Sequence, residues 1–162
     1  MVTSKALLYG VTQAHGQRQA SRGTGLKQKV LVLGAGGQLG RELQRTLPTG
    51  VDCAPRTRAE LDISDAAAVA DCLRGISPQL VINAAAYTAV DKAESEPTEA
   101  HRGNAEGPGV LANACSQQGI RLIHISTDFV FDGAASRPYS PQAATAPLGE
   151  YGRSKREGEV AV

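Results

Sequence analysis

The chain has 162 residues, 41% of them hydrophobic, which suits one domain with a buried core. Seventeen Lys and Arg against sixteen Asp and Glu give a formal charge of +1, which removes the electrostatic case for nucleic acid and favours small, specific ligands. The three cysteines lack CxxC or CxxxC spacing, which speaks against a disulfide framework or zinc site and for a reducing cytoplasm, and no apolar run reaches the roughly 18–20 residues of a membrane span.

Residues 1–28 show no sustained period and contain no Asp or Glu; a poorly ordered basic arm is expected, either transit-like or an upstream linker. From Lys29 onward short apolar runs alternate with helical stretches. The run at 30–33 reads as a strand, followed by a glycine turn and a helix over 38–47 that Pro48 and Gly50 end. A second strand is expected at 51–54, then a basic loop and the short apolar segment 61–63. Ser64 is the expected N-cap of a helix over 65–74, with Val69 and Leu73 on one face. A strand at 80–82 follows Pro78. One long helix is expected over 98–118, ended by Gly119 and bent or broken at Pro108. The run 121–125 is the next strand; a loop rich in Ala, Pro and Ser follows, and a last helix starts near Tyr151. This alternation is the signature of βαβ units, so the expected fold class is α/β, a Rossmann-type doubly wound parallel sheet over residues 29–162.

Gly34, Gly37 and Gly40 form a GxxGxxG turn between the first strand and the first helix. Gly34 allows the tight bend, Gly37 lets backbone N–H groups approach a pyrophosphate, and Gly40 permits close helix packing at a helix N-terminus that attracts anions. The alternative is a purely structural strand-to-helix turn. The acidic residue that usually holds the adenosine ribose about 20 positions on is missing; the region carries Pro55, Arg56 and Arg58 instead. Arg56, with Arg58 and Arg41, could pair with a 2′-phosphate, which points to NADPH and leaves NADH open. Otherwise these arginines are simply solvated.

Tyr151 and Lys155 form a YxxxK pair, one helical turn apart on one face. A neighbouring ammonium favours the phenolate and brings a tyrosine closer to working pH for proton transfer. Thr127, at the end of the strand 121–125, has a hydroxyl that can hydrogen-bond a carbonyl oxygen at the rim where ligands bind in such sheets.

The glycine turn, residues 151–155 (YGRSK) and the strand end 83–86 (NAAA) are similar to the extended short-chain dehydrogenase/reductases. Longer strings narrow the likeness: 36–44 (GGQLGRELQ), 60–63 (ELDI), 83–97 (NAAAYTAVDKAESEP), 104–106 (NAE), 124–133 (HISTDFVFDG) and Tyr139 resemble the dTDP-4-dehydrorhamnose reductases, almost continuously from Lys29 to the last residue. The resemblance implies reduction of a nucleotide-linked 4-keto-6-deoxy sugar to dTDP-L-rhamnose. Catalytic roles then fall to Thr127, Tyr151 and Lys155: Tyr151 would donate a proton, Lys155 would lower the tyrosine pKa and hold the nicotinamide ribose, and Thr127 would polarise the keto oxygen. Gly37, Gln38 and Leu39 would cradle the pyrophosphate, Asp62 and Ile63 would flank the adenine, and Ala86, Tyr87 and Thr88 would line the path to the nicotinamide. Thr127 and Asp128 would meet the sugar. Asn104 matches an asparagine that supports a proton-relay water, and Glu42 a carboxylate that contributes to an interfacial Mg²⁺ in some relatives, although a surface helix glutamate is the preferred reading. The implied partner is a nucleotide sugar, with a homodimer left open.

Three departures qualify the match. Phe129 stands where the family usually has Tyr, Pro55 replaces a frequent Asp, and the match runs to Val162, so the segment expected to bind the nucleotide sugar lies past the sequence. A non-catalytic NAD(P)-binding module on the same fold, or an inactive truncated piece, is the alternative. His15, His101 and His124 lack metal-ligand spacing and are assigned core or surface roles; Asp91, Glu94 and Glu96 are read as a solvated cluster around Lys92.

Overall fold

The computed structural model describes Leu8, Tyr9 and residues 27–162. In chain order they form β1 (Leu8–Tyr9), β2 (Gln28–Leu33), α1 (Gln38–Thr46), β3 (Val51–Arg56), α2 (Ala66–Ile76), β4 (Leu80–Asn83), α3 (Val90–Ala93), α4 (Pro97–His101), α5 (Gly107–Gln118), β5 (Arg121–Ile125) and α6 (Glu150–Ala161). A wide turn, Arg102–Glu106, joins α4 to α5, and a 3-10 turn, Asp128–Val130, follows β5.

The sheet order is β1-β5-β4-β2-β3. β3, β2, β4 and β5 run parallel, and β1 pairs antiparallel with β5. Side chains of β2 alternate between two apolar layers. Val30 and Val32 join Ile82 and Leu43 of α1 on one face, while Leu31 and Leu33 join Val81, Leu122, Val69, Leu73 and Leu111 beneath α2 and α5 on the other. Burial on both faces is why β2 reads as an unbroken apolar run. Fully burying one such Val or Leu contributes about 1.5–3 kcal/mol. The chain leaves β2 for β3 on one side and reaches β4 on the other, so the C-terminal ends of β2 and β4 open a crevice at the switch point. Among the described residues no helix is long and apolar enough to cross a membrane.

Three local expectations change. Ser64 does not cap α2: Asp65 does, its carboxylate accepting from the N–H groups of Ala67 and Ala68 at 3.0 Å each. The Ser64 hydroxyl donates instead to Asp62 Oδ1 at 2.7 Å and accepts from Arg102 Nε at 2.9 Å. Pro108 does not break the helical run, which passes from α4 through Arg102–Glu106 into α5 without a gap. Lacking an N–H and crowding the carbonyl four residues back, it is taken up by a π turn at Arg102–Glu106, where the Gly107 N–H reaches the Arg102 carbonyl. β3 extends to Arg56 through Pro55, which an edge strand tolerates because its missing N–H costs no ladder bond on the open side. Gly119 ends α5 as expected: its φ of 65° lets its own N–H reach Ser116 O and the Ile120 N–H reach Cys115 O. Of the basic arm expected over residues 1–28, all but Leu8, Tyr9, Lys27 and Gln28 lies outside the described residues.

Candidate active site

The crevice at the switch point is a cleft of about 590 Å³. The glycine turn forms its floor. Gly34 has φ of 73°, and a Cβ there would lie 2.6 Å from the backbone of Ala84 and Ala85. A Cβ on Gly40 would lie 2.2 Å from the Gly34 carbonyl oxygen. These two glycines let β2, β4 and α1 meet at backbone distance, and Gln44 Nε2 ties the turn by donating to Ala35 O and Gly40 O at 2.9 Å each. Gly37 is the N-cap of α1 and supplies no side-chain acceptor to its first turn. The Gly37 N–H closes the turn by donating to Gly34 O at 3.0 Å, so Gly36, Gln38 and Leu39 bring the main-chain N–H groups and the positive end of α1 to the cleft wall. A diphosphate fits such a cradle.

Residues from distant elements complete the wall. Asp62, Ile63 and Arg58 line one end, Ala86, Tyr87 and Thr88 follow β4, and Tyr151 and Lys155 of α6 stand with Ile125 and Ser126 at the other. Asp62 accepts from Ser64 N at 3.0 Å and from Arg102 Nη2 at 2.5 Å; the bonds from Ser64, then the Arg102 charge, hold its pKa below the usual range. Asn104, fully buried, clamps the Tyr87 backbone from both sides, accepting from its N–H at 2.8 Å and donating to its carbonyl at 3.0 Å, and also donates to Ser154 Oγ at 3.0 Å. The side-chain amide so used is a structural clamp between the β4 loop and α6.

Gly40, Arg56, Thr127 and Asp128 are not on the cleft wall. Gly40 is buried under the turn, and Arg56 Nη1 donates to Pro55 O at 2.8 Å. Thr127 caps the 3-10 turn, accepting from Phe129 N at 3.3 Å, and stands beside the Tyr151 phenol. Glu42 pairs with Arg45 at 2.7 Å on the exposed face of α1. Among the described residues no three or more His, Cys, Asp or Glu gather as a metal site.

Lys155 is 2% exposed and donates to the Ile125 carbonyl at 2.6 Å. Burial lowers its pKa to about 8, opposed by the Glu159 charge. Tyr151 is raised above its ordinary value, chiefly by burial; the Thr127 hydroxyl lowers it and the Asp128 charge raises it. The expected depression by Lys155 is thus not among its causes: the ammonium is directed to Ile125 O. The Phe129 ring meets Tyr151 edge-on at 5.5 Å, filling apolar space in place of a second hydroxyl.

Sequence reasoning assigned His124 a core or surface role, and the structure buries it. Asn83 Oδ1 accepts the Ala85 N–H at 3.1 Å, so Asn83 Nδ2 donates to His124 Nδ1 at 3.0 Å and the ring proton sits on Nε2. That Nε2 is buried without a protein partner, close to Gly158, and burial together with the Lys155 charge lowers the His124 pKa to about 3. The unfolded chain therefore takes up a proton near pH 6.5 that the folded chain refuses until about pH 3. Stability from this group is complete above pH 6.5 and lost as pH falls towards 3, on the order of 5 kcal/mol. In urea titrations His124→Gln is expected to flatten the loss of stability between pH 7 and 4; an unchanged slope would exclude His124 as its source.

Residues 28–162 match the family model described as the RmlD substrate binding domain. The dTDP-4-dehydrorhamnose reductase of Mycobacterium tuberculosis (strain CDC 1551 / Oshkosh) is 48% identical over 143 residues, covering 85% of this chain and 46% of that protein. The crystal structure of a dTDP-4-dehydrorhamnose reductase from Clostridium acetobutylicum superposes with a TM-score of 0.80 at 42% identity, over 82% of this chain and 48% of that one. The dTDP-4-dehydrorhamnose reductase from Bacillus anthracis, solved in complex with NADP, gives 0.82 at 39% identity over 83% and 48%. The chain spans about half the length of the curated relatives it matches.

Proposed function

Because the chain belongs to the RmlD substrate binding domain family, we propose that its cleft holds NADPH and serves reduction of the 4-keto group of dTDP-4-dehydrorhamnose to dTDP-L-rhamnose. The observation that carries this reading is that a bare helix N-terminus capped by Gly37 faces one cleft with Tyr151 and Lys155, which lie 114 and 118 residues further along the chain. When bound, the reduced nicotinamide supplies hydride. The N–H groups of Gln38 and Leu39 hold the pyrophosphate over Gly37, which gives it room, Asp62 and Ile63 flank the adenine, and Ala86, Tyr87 and Thr88 guide the ligand towards α6. Lys155 holds the ribose hydroxyls with the ammonium protons not given to Ile125 O. Thr127 donates a hydrogen bond to the keto oxygen, Asp128 meets the sugar, and the Tyr151 hydroxyl delivers the proton as alkoxide charge develops.

For the 2′-phosphate, Arg58 is better placed than Arg56. It lines the cleft, is largely exposed, and pairs loosely with Glu99 at 3.8 Å, whereas Arg56 turns back onto Pro55. Arg58→Ala is expected to weaken NADPH roughly tenfold in a fluorescence titration and to leave NADH within about twofold, the loss of one charge-assisted contact. Equal losses for both dinucleotides would remove Arg58 from phosphate recognition. NADPH oxidation with the dTDP-linked keto sugar tests the activity itself. Binding without turnover would reduce the chain to a dinucleotide-binding module, and no saturable binding would end the reading altogether.

A further inference from the structure

α6 carries Tyr151 and Lys155 in its first two turns, yet its N-cap, Gly149, has no side chain with which to cap it. The acceptor comes from elsewhere. Glu94 Oε1 takes the Glu150 N–H at 2.8 Å, from 56 residues away in the chain. Gly149 makes room for it: a Cβ there would lie 2.6 Å from that same oxygen. Gly149 and Glu94 thus form a two-part cap, one supplying space and the other the acceptor and a negative charge at the positive end of the helix.

The position of Glu94 gives this cap its consequence. It closes α3, the helix that follows directly on the cleft-lining segment 84–88, and the amide it accepts from belongs to the residue before Tyr151. The bond therefore ties the wall after β4 to the helix end that presents the phenol. Glu94 is exposed and is not part of the cleft wall, so its effect on chemistry passes through Tyr151.

We propose that Glu94 is a positioning residue for Tyr151, capping α6 across the fold so that the phenol is held against Thr127 at the cleft mouth. This deepens the reductase reading and rests on it only for the role of Tyr151; the cap itself is independent of it.

The test compares Glu94→Ala, Glu94→Gln and Gly149→Ala by amide hydrogen exchange at Glu150 and by ultraviolet titration of Tyr151, isolated as the difference from Tyr151→Phe. The chain has four tyrosines and no tryptophan, which makes that difference measurable. Glu94→Ala is expected to speed exchange at Glu150 roughly tenfold, in the range of a lost N-cap. It should also move the Tyr151 midpoint down as the loosened phenol gains solvent. Gly149→Ala, which pushes the carboxylate away, should do the same. Glu94→Gln keeps an oxygen acceptor in place and should restore both readouts. Wild-type exchange in Glu94→Ala would overturn the cap. Faster exchange with an unmoved Tyr151 midpoint would overturn the positioning role. If the wild-type chain fails to bind NADPH, the reductase reading falls while these two readouts still decide the cap.

Discussion

Tyr151→Phe is expected to cut reduction of the dTDP-linked keto sugar by roughly 10²–10⁴-fold, the usual worth of a positioned general acid, while NADPH affinity stays within about twofold. The phenol hydroxyl is the group lost; the ring, its edge contact with Phe129 and the helix remain. The proposed role requires a protonated phenol, and burial keeps Tyr151 protonated by raising its pKa, with the Thr127 hydroxyl pulling the other way. Lys155 supplies the pH limit. With its pKa lowered to about 8 by burial, it is charged below that pH and neutral above it, so turnover should fall as pH rises through about 8. A rate profile flat through that region, or a Tyr151→Phe enzyme as fast as wild type, would remove the pair from the chemistry.

Gly40→Ala is expected to abolish saturable dinucleotide binding and to destabilise the fold by about 3 kcal/mol, the upper part of the range for overpacking a tight site. The new methyl would meet the Gly34 carbonyl oxygen at 2.2 Å and Ala35 Cα at 2.8 Å, both main chain and neither able to rotate away. Retreat of the turn is also blocked, because Gly34 is already wedged against the backbone of Ala84 and Ala85 at the end of β4. The methyl must therefore lift α1, and the first-turn N–H groups move with it. Gly36→Ala is the control for stability: its Cβ meets only Thr57 Cγ2 at 3.6 Å, an ordinary contact. Chemical denaturation separates the two variants, and equal midpoints would mean that the turn is looser than its distances state.

Much of this site was legible because its signals are local. β2 is a doubly buried strand, and its four consecutive apolar residues say so; the three glycines that follow each have a spacing that one close approach explains. Tyr151 and Lys155 are linked by helical periodicity alone. Other features depend on partners distant in sequence. Ser64 and Asp65 are both good caps, and only Asp62 and Arg102, which occupy the Ser64 hydroxyl, decide between them. Pro108 signals a broken helix until a π turn, placed where Asn104 must reach both Tyr87 and Ser154, absorbs it. Glu94 looks like one more solvated carboxylate because its partner amide lies 56 residues downstream. His124 was assigned to core or surface; its buried ring and its bond to Asn83 could not be read from spacing.

The placement of the dinucleotide is tested most directly by titrating the chain with NADPH while following backbone amide chemical shifts. Saturable changes concentrated at residues 36–39, 84–88 and 151, with residues on the far side of the sheet unmoved, are the expected result. Saturable binding whose changes fall away from the glycine turn and α6, or no binding at all, would contradict it.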